Sequence, residues 1–250
     1  MQIVPVDLRE VAILLDVDGT LLDIAPTPES VHASASLRDT LARLHVQSSG
    51  ALALISGRPI AELDRIFCPL RLPAIGGHGA ELRPTGDAAP IRHDTTPLDP
   101  RLKRRLVEIA SAHPGIAVED KRLSLALHYR LAPEHGESLR RAVAALRAQA
   151  APGAFDILEG KAVIEVKPPG FDKGTALREL MGHAPFAGRR PVFIGDDITD
   201  EAAFAVLPEF DGIGIAVGRD FPGAVANLPS PHDVRAWLDR TSQQEEASAS

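Results

Sequence analysis

The sequence predicts an α/β protein: a doubly wound parallel sheet into which a smaller α+β domain is inserted. Three observations lead there. Short unbroken apolar runs at residues 11–15, 51–55, 191–194 and 213–217 have the length and composition of strands buried on both faces. Helix-spaced segments separate them, the alternation that builds a parallel sheet. From about residue 99 to 168 the order changes to helix, hairpin, helix, hairpin, which is not a strand–helix–strand series.

The first run stops at Asp16-Val17-Asp18-Gly19-Thr20. Alternate side chains of an extended chain share a face, so Asp16 and Asp18 point the same way, and Gly19 permits the turn that follows. Residues 21–29 read as a loop, because Pro26 and Pro28 bar a helix there. Leu37, Leu41 and Leu44 give residues 36–46 a helical spacing, ended by Gly50. The second run leads into Ser56-Gly57-Arg58-Pro59, and Pro59 opens a helix over 60–67. Residues 73–75 form a short strand before Gly76-Gly77-His78-Gly79-Ala80-Glu81. Residues 85–100, rich in Pro, Gly, Asp and Thr, read as a linker.

In the inserted domain, a helix is expected over 102–112 and a longer one over 133–150, with Leu139, Val143 and Leu146 along one stripe. Strands at 116–119 and 123–129 make one hairpin, and strands at 155–158 and 163–166 make another. Leu123, Leu125 and Leu127 alternate with Ser124, Ala126 and His128, so one face is the more apolar. Pro168-Pro169-Gly170 marks the return to the first domain. A helix over 173–181 carries Lys173 at its start. The run at 191–194 ends in Gly195-Asp196-Asp197-Ile198-Thr199-Asp200-Glu201, and Ser230-Pro231-His232-Asp233 has the form of a helix start. The expected division is a discontinuous core at 1–98 and 169–240, an α+β domain at 99–168, and a disordered polar tail at 241–250.

Composition narrows the classes of function. The chain has 250 residues, 44% hydrophobic and 24% charged, enough for a real core. Its net charge of −7 argues against non-specific nucleic-acid binding. The single cysteine, Cys68, excludes an internal disulfide and a multi-cysteine zinc site, fits a reducing compartment, and is expected to be semi-buried. No apolar run approaches the roughly 20 residues of a membrane span. Asp7, Arg9 and Glu10 stand where a secretory signal would place its apolar core. A cytoplasmic monomer is the expectation.

The chemistry-bearing residues fall at strand ends, where open α/β sheets bind ligands. Asp16 and Asp18 follow the first strand, Ser56 the second, and Asp196 and Asp197 a later one, with Asp200 and Glu201 just beyond. Two close carboxylates disfavour each other's ionisation unless a cation neutralises them. Either a hard divalent ion sits between Asp16 and Asp18, or one attacks while the other shuttles a proton. Asp-x-Asp-Gly also occurs in plain solvated loops. Several acids with one serine and one lysine, Lys173, suit phosphoryl transfer with one Mg2+.

This order of elements resembles the haloacid dehalogenase (HAD) superfamily of aspartate-based phosphohydrolases. Its signature is Asp-x-Asp-Gly-Thr, a Ser or Thr after a strand, a Lys, then Gly-Asp-Asp-x-x-Asp, here at Asp16, Ser56, Lys173 and Asp196. The superfamily places a cap domain where the inserted block stands. Ser56-Gly57-Arg58, Gly77-His78-Gly79-Ala80-Glu81, Glu119-Asp120-Lys121 and His128-Tyr129-Arg130 are similar, more narrowly, to the trehalose-6-phosphate phosphatases.

That resemblance implies roles. Asp16 is the nucleophile, and Asp18 protonates the leaving sugar oxygen and then activates water. Ser56, Gly57 and Lys173 hold the phosphate. Mg2+ is bound by Asp16, Asp196 and the backbone carbonyl of Asp18, while Asp197 and Asp200 hold its waters or orient Lys173. Glu119, Lys121 and Glu165 contact trehalose hydroxyls. Arg58 either bridges to the substrate or holds its loop, and His78 shapes a substrate loop. The implied partner is a small sugar phosphate, trehalose 6-phosphate, rather than nucleic acid or membrane. Three competing readings are a HAD phosphatase for a sucrose- or mannosyl-type phosphate, a phospho-aspartate receiver, and an inactive binding protein, the last disfavoured because every expected catalytic position is filled. Receivers are shorter, have no inserted domain, and have no need of Asp18.

Overall fold

The computed structural model describes residues 6–24, 31–92 and 96–248. The expected loop at 21–29 lies mostly outside those residues. The chain forms two compact units, one of residues 1–93 with 172–250 and the other of residues 94–171.

In chain order the elements are β1 Val11–Asp16, α1 Ala35–Gln47, β2 Leu52–Ile55, α2 Ile60–Ile66, β3 Ala74–Gly76, β4 Glu81–Arg83 and β5 Ile91–Arg92. The inserted unit follows with α3 Pro100–Ser111, β6 Ala117–Asp120, β7 Leu125–His128, α4 Gly136–Gln149, β8 Asp156–Gly160 and β9 Val163–Lys167. The chain then returns with α5 Lys173–Leu180, β10 Arg190–Gly195, α6 Glu201–Val206, β11 Ile213–Val217, β12 Ala226–Leu228 and α7 Pro231–Ser248.

The large unit is built on one sheet in the order β12-β11-β10-β1-β2-β3-β4-β5. It is parallel from β12 to β3, and β4 and β5 add antiparallel strands at one edge. β1 is central and buried along its length. Ile13 and Leu15 point into one apolar cluster, whereas Ala12 and Leu14 point into another on the opposite face. Both faces are covered, and for that reason these strands read as continuous apolar runs rather than alternating ones.

The inserted unit is an antiparallel sheet, β6-β7-β9-β8, with α3 and α4 packed together beside it. Leu125, Leu127, Ile164 and Val166 face the core formed with Leu106, Leu139, Val143 and Leu146. Ala126 and Glu165, in register with Glu119, alternate with them and occupy the other face.

The structure departs from the sequence reading in five places. The expected linker at 85–100 contains β5, and β4 precedes it. β4 is charged at both ends, and what secures it is distant: Arg83 is buried, donating to Asp64 at 2.6 and 2.8 Å and to the Leu72 carbonyl. The short strand β12 and helix α6 had no periodic signal long enough to read. The boundaries at 99 and 168 move to 94 and 171. Leu98 is buried in the small unit's core, and Lys167 donates to Asp156, Pro168 and Phe171 of the same unit. The tail expected to be disordered from 241 is instead helical to Ser248. Thr241 and Ser242 are buried there, and Ser242 receives Arg43 and Gln47 of α1. Finally, Cys68 is exposed rather than semi-buried, since it follows Phe67, the cap of α2, into a turn. Among the described residues no helix is long and apolar enough to cross a membrane.

Candidate active site

Strand register brings the first acidic pair, the serine and the second acidic pair to one end of the sheet. Asp16 is level with Ile55, the residue before Ser56, and Leu15 is level with Ile194, two before Asp196. There Lys173 Nζ donates to Asp16 Oδ1 and to Asp200 Oδ1, each at 2.6 Å, with all three side chains almost wholly buried. One carboxylate oxygen from each of Asp16, Asp196 and Asp200 lies within 4.8 Å of the others.

Local features explain why these groups converge. Lys173 is the first residue of α5, whose N-terminus is closed by a capping box between Asp172 and Thr175. A side chain at Gly174 would strike the Ala202 carbonyl at 2.2 Å, so glycine there lets α6 approach and brings Asp200 to the lysine. Gly19, at φ +88°, allows the loop after β1 to pass against Asp196, whose Oδ2 would stand 2.2 Å from any Cβ there. Thr20, fully buried, donates to the other oxygen of Asp196 at 3.1 Å.

Three buried carboxylates and one ammonium leave net negative charge in a desolvated place. Burial pushes the Asp16 carboxyl well above its ordinary range, and Asp200 and Asp196 push it further, while Lys173 opposes them. Burial works against the Lys173 charge, but Asp16 and Asp200 outweigh it and hold the ammonium ionised. A hard divalent cation fits this donor set, since the ligand atoms are all oxygens and the three carboxylates outnumber the one ammonium among them.

The remaining candidates divide. Asp200 is fully engaged: Oδ1 accepts from Lys173, and Oδ2 accepts from the backbone of Asp196 and Asp197 at 2.9 and 3.0 Å. Asp197 is not in the carboxylate group. Its side chain accepts from the Ile198 amide at 2.8 Å and caps the short turn before α6. Glu201 is exposed at the first turn of α6, where an acid favours the helix dipole. The Asp18 carboxylate is held by a bidentate fork from Arg58, at 2.6 and 2.8 Å, and Arg58 also pairs with Glu62. Burial works against the guanidinium charge, yet these two acids raise its pKa.

Ser56 is buried, and its Oγ accepts from the Arg58 amide at 3.1 Å. His78 lies against Gly57, where any Cβ would stand 2.3 Å from its Nε2. The His78 amide donates to the Ser56 carbonyl at 3.1 Å, and the Gly77 amide donates to that of Arg58 at 2.9 Å. His78 itself takes a left-handed backbone, φ 54°, between two glycines that do the same. This segment therefore straps the Ser56-Gly57-Arg58 loop.

The other three candidates, Glu119, Lys121 and Glu165, gather on the polar face of the inserted unit's sheet. Lys121 Nζ meets Glu165 Oε2 at 2.7 Å, and Ser124 donates to Glu165 Oε1 at 2.5 Å. Glu119 accepts a hydrogen bond from the His128 ring at 2.8 Å. Burial would raise the Glu119 carboxyl, but His128 and Lys121 outweigh it and lower the pKa. Ser124 is not singled out from sequence as a site residue, and His128 only as part of the His128-Tyr129-Arg130 motif, although both alternate in phase with Ala126 on that face. Thr20 lies within the Asp-x-Asp-Gly-Thr motif, yet its partner Asp196 is 176 residues away, and Glu62 stands four residues after Arg58, a spacing the sequence reading did not use.

The resemblance seen in the motifs extends over nearly the whole chain. The family model for trehalose-phosphatase matches residues 14–227. A probable trehalose-phosphate phosphatase of Sinorhizobium fredii is 38% identical over 234 residues, spanning 93% of this chain and 88% of that protein. The trehalose-6-phosphate phosphatase of Escherichia coli is 39% identical over 224 residues, 90% and 84% of the two chains. Among solved structures, the C-terminal domain of a C. albicans trehalose-6-phosphate phosphatase superposes with a TM-score of 0.83, covering 94% of this chain and 92% of that one; at 24% identity this speaks for the fold alone. Sequence relatives, fold and the acid–lysine cluster at the strand ends agree, and the chain belongs to the trehalose-phosphatase family.

Proposed function

We propose that this chain, a phosphoric monoester hydrolase, converts trehalose 6-phosphate and water to trehalose and phosphate through an aspartyl-phosphate. The observation that carries the reading is the buried Asp16–Lys173–Asp200 chain beside Asp196. A carboxylate is a weak nucleophile towards a phosphate dianion, and it needs nearby positive charge to approach one.

In the first half-reaction Asp16 forms a bond to phosphorus as the bond to the sugar oxygen breaks, and Asp18 gives its proton to that oxygen. In the second, water attacks phosphorus, Asp18 takes its proton, and the Asp16–phosphorus bond breaks. Lys173 draws charge from Asp16 and from the phosphoryl oxygens, and Ser56 with the amide of Gly57 holds those oxygens. Asp16, Asp196 and the Asp18 carbonyl would hold Mg2+, which would supply the remaining positive charge against the phosphate. Asp200 orients Lys173, and Asp197 serves through the turn it caps. Glu119, Lys121 and Glu165 read the sugar hydroxyls. Paired donors and acceptors on one face, with Ser124 and His128 fixing their orientation, support that role. The reaction belongs in the cytoplasm and requires no nucleic-acid or membrane partner, in keeping with the acidic net charge.

Phosphate release from a panel of sugar phosphates, with Mg2+ and with chelator, tests this reading. Strong preference for trehalose 6-phosphate is expected, abolished by chelator and reduced by about 10⁴-fold or more in Asp16→Asn. Equal or better release from a sucrose- or mannosyl-type phosphate would overturn the substrate. Undiminished release by Asp16→Asn would overturn the mechanism.

A further inference from the structure

Two carboxylates leave the end of β1, and each is held by a cation that a second carboxylate holds in turn. Asp16 is bridged through Lys173 to Asp200. Asp18 is bridged through Arg58 to Glu62. The second bridge lies on the surface side of the site. The side chains of Asp18, Arg58 and Glu62 are 35%, 11% and 22% exposed, enough cover to keep one orientation. A guanidinium is planar and rigid, so a bidentate fork sets the plane of the carboxylate it binds. Arg58 Nε and Nη2 make that fork, and Nη1 goes to Glu62 in the first turn of α2. The Arg58 backbone is pinned as well, its amide on Ser56 Oγ and its carbonyl on the Gly77 amide. With both ends of its side chain fixed, Arg58 leaves Asp18 one plane to occupy; when Asp18 carries the proton it gives, one oxygen holds that proton and the other still accepts from the guanidinium, which keeps the plane.

We infer that Glu62 is a positioning residue for the phosphatase reaction: by anchoring Arg58 it sets the orientation of the Asp18 carboxylate, and so governs proton delivery to the leaving group. This places Arg58 with the proton-transfer group rather than with the sugar contacts. The inference rests on the roles given above to Asp16 and Asp18. It is independent of which sugar is the substrate.

A misdirected acid costs most where the leaving group most needs a proton. The test is kcat/KM of the Mg2+-loaded enzyme on aryl phosphates of graded leaving-group pKa, for wild type, Glu62→Ala and Glu62→Gln. This ratio reports steps up to departure of the phenol and excludes hydrolysis of the phospho-enzyme. Glu62→Ala is expected to lose about 10- to 100-fold on phenyl phosphate and to stay within about twofold on p-nitrophenyl phosphate, which needs little proton assistance. Its plot against leaving-group pKa steepens. Glu62→Gln keeps an acceptor for Nη1 and recovers most of the loss. Circular dichroism and urea titration establish that the variants are folded.

An equal loss on every member, or no loss on any, would overturn the inference, because a merely structural pair would shift the plot without changing its slope. A wild type active on aryl phosphates but without preference for trehalose 6-phosphate would overturn the substrate assignment and leave this inference standing. A wild type that releases phosphate from no monoester would overturn both.

Discussion

Asp16 is buried among Asp196 and Asp200, with the ammonium of Lys173 at 2.6 Å. The proposed nucleophilic role requires its carboxylate to be ionised, whereas burial and the two neighbouring acids favour the protonated form. The sign of the stability effect follows. The folded pKa lies above the ordinary value of 3.8, so Asp16 favours folding when protonated. That contribution is complete below 3.8 and disappears as pH rises through the folded value. Asp16→Asn removes the titration. In Mg2+-free buffer the variant should therefore gain stability relative to wild type as pH is raised from about 4 to about 8. Urea denaturation of the two proteins in parallel measures the difference. A gap that stays constant with pH would mean that Asp16 is ionised at no cost. Mg2+ should shrink the gap near neutral pH, because it favours the carboxylate.

At the scale of elements, the β6–β7 and β8–β9 hairpins each present one apolar and one polar side. Leu125, Leu127, Ile164 and Val166 are committed to the core, which leaves Ala126, His128 and Glu165 on the opposite face. Glu165 is nonetheless buried, held by Lys121 and Ser124. Removing its charge leaves Lys121 without its closest acid. Glu165→Gln is expected to raise KM for trehalose 6-phosphate about tenfold, the scale of one charged hydrogen bond, with kcat/KM for p-nitrophenyl phosphate little changed. Steady-state kinetics on both substrates checks it. An equal fall on both would mean that Glu165 serves the fold and not the sugar.

The molecule as a whole confines its acidic centre to one of two compact units. Asp16, Asp196, Asp200 and Lys173 all lie in the unit of residues 1–93 and 172–250. A ligand that binds only folded protein stabilises what it binds, by about 2.7 kcal/mol at a hundredfold excess over Kd. Saturating Mg2+ alone should therefore slow amide exchange in β1, β10 and the start of α5, and leave the core of residues 94–171 unchanged. Hydrogen exchange followed by mass spectrometry reads both at once. Protection spread equally over the two units would contradict a metal site built from the β1 and β10 ends. The same large unit is closed by α7, which packs on α1 through Arg43, Asp239 and Ser242. That contact makes the polar C-terminal residues part of the fold.

Much of this protein is legible without coordinates. Strands buried on both faces announce themselves as apolar runs, and glycine and proline punctuate them. Reactive residues placed just after those runs are carried to one end of the sheet by parallel topology, so Asp16, Ser56 and Asp196 could be grouped from sequence alone. The polar face of β7 was visible in the alternation of Ser124, Ala126 and His128. Pairing was not visible. Asp16 and Lys173 stand 157 residues apart, and nothing local distinguishes the carboxylate that meets the ammonium from the one that meets Arg58. Asp197 and Asp200 look interchangeable in sequence, yet one caps a turn and the other accepts a hydrogen bond from Lys173. The strand β4 and the last turns of α7 owe their order to Asp64 and to α1, partners far along the chain. Periodicity reports how each segment meets the core; which charges meet each other depends on distances that exist only once the chain has folded.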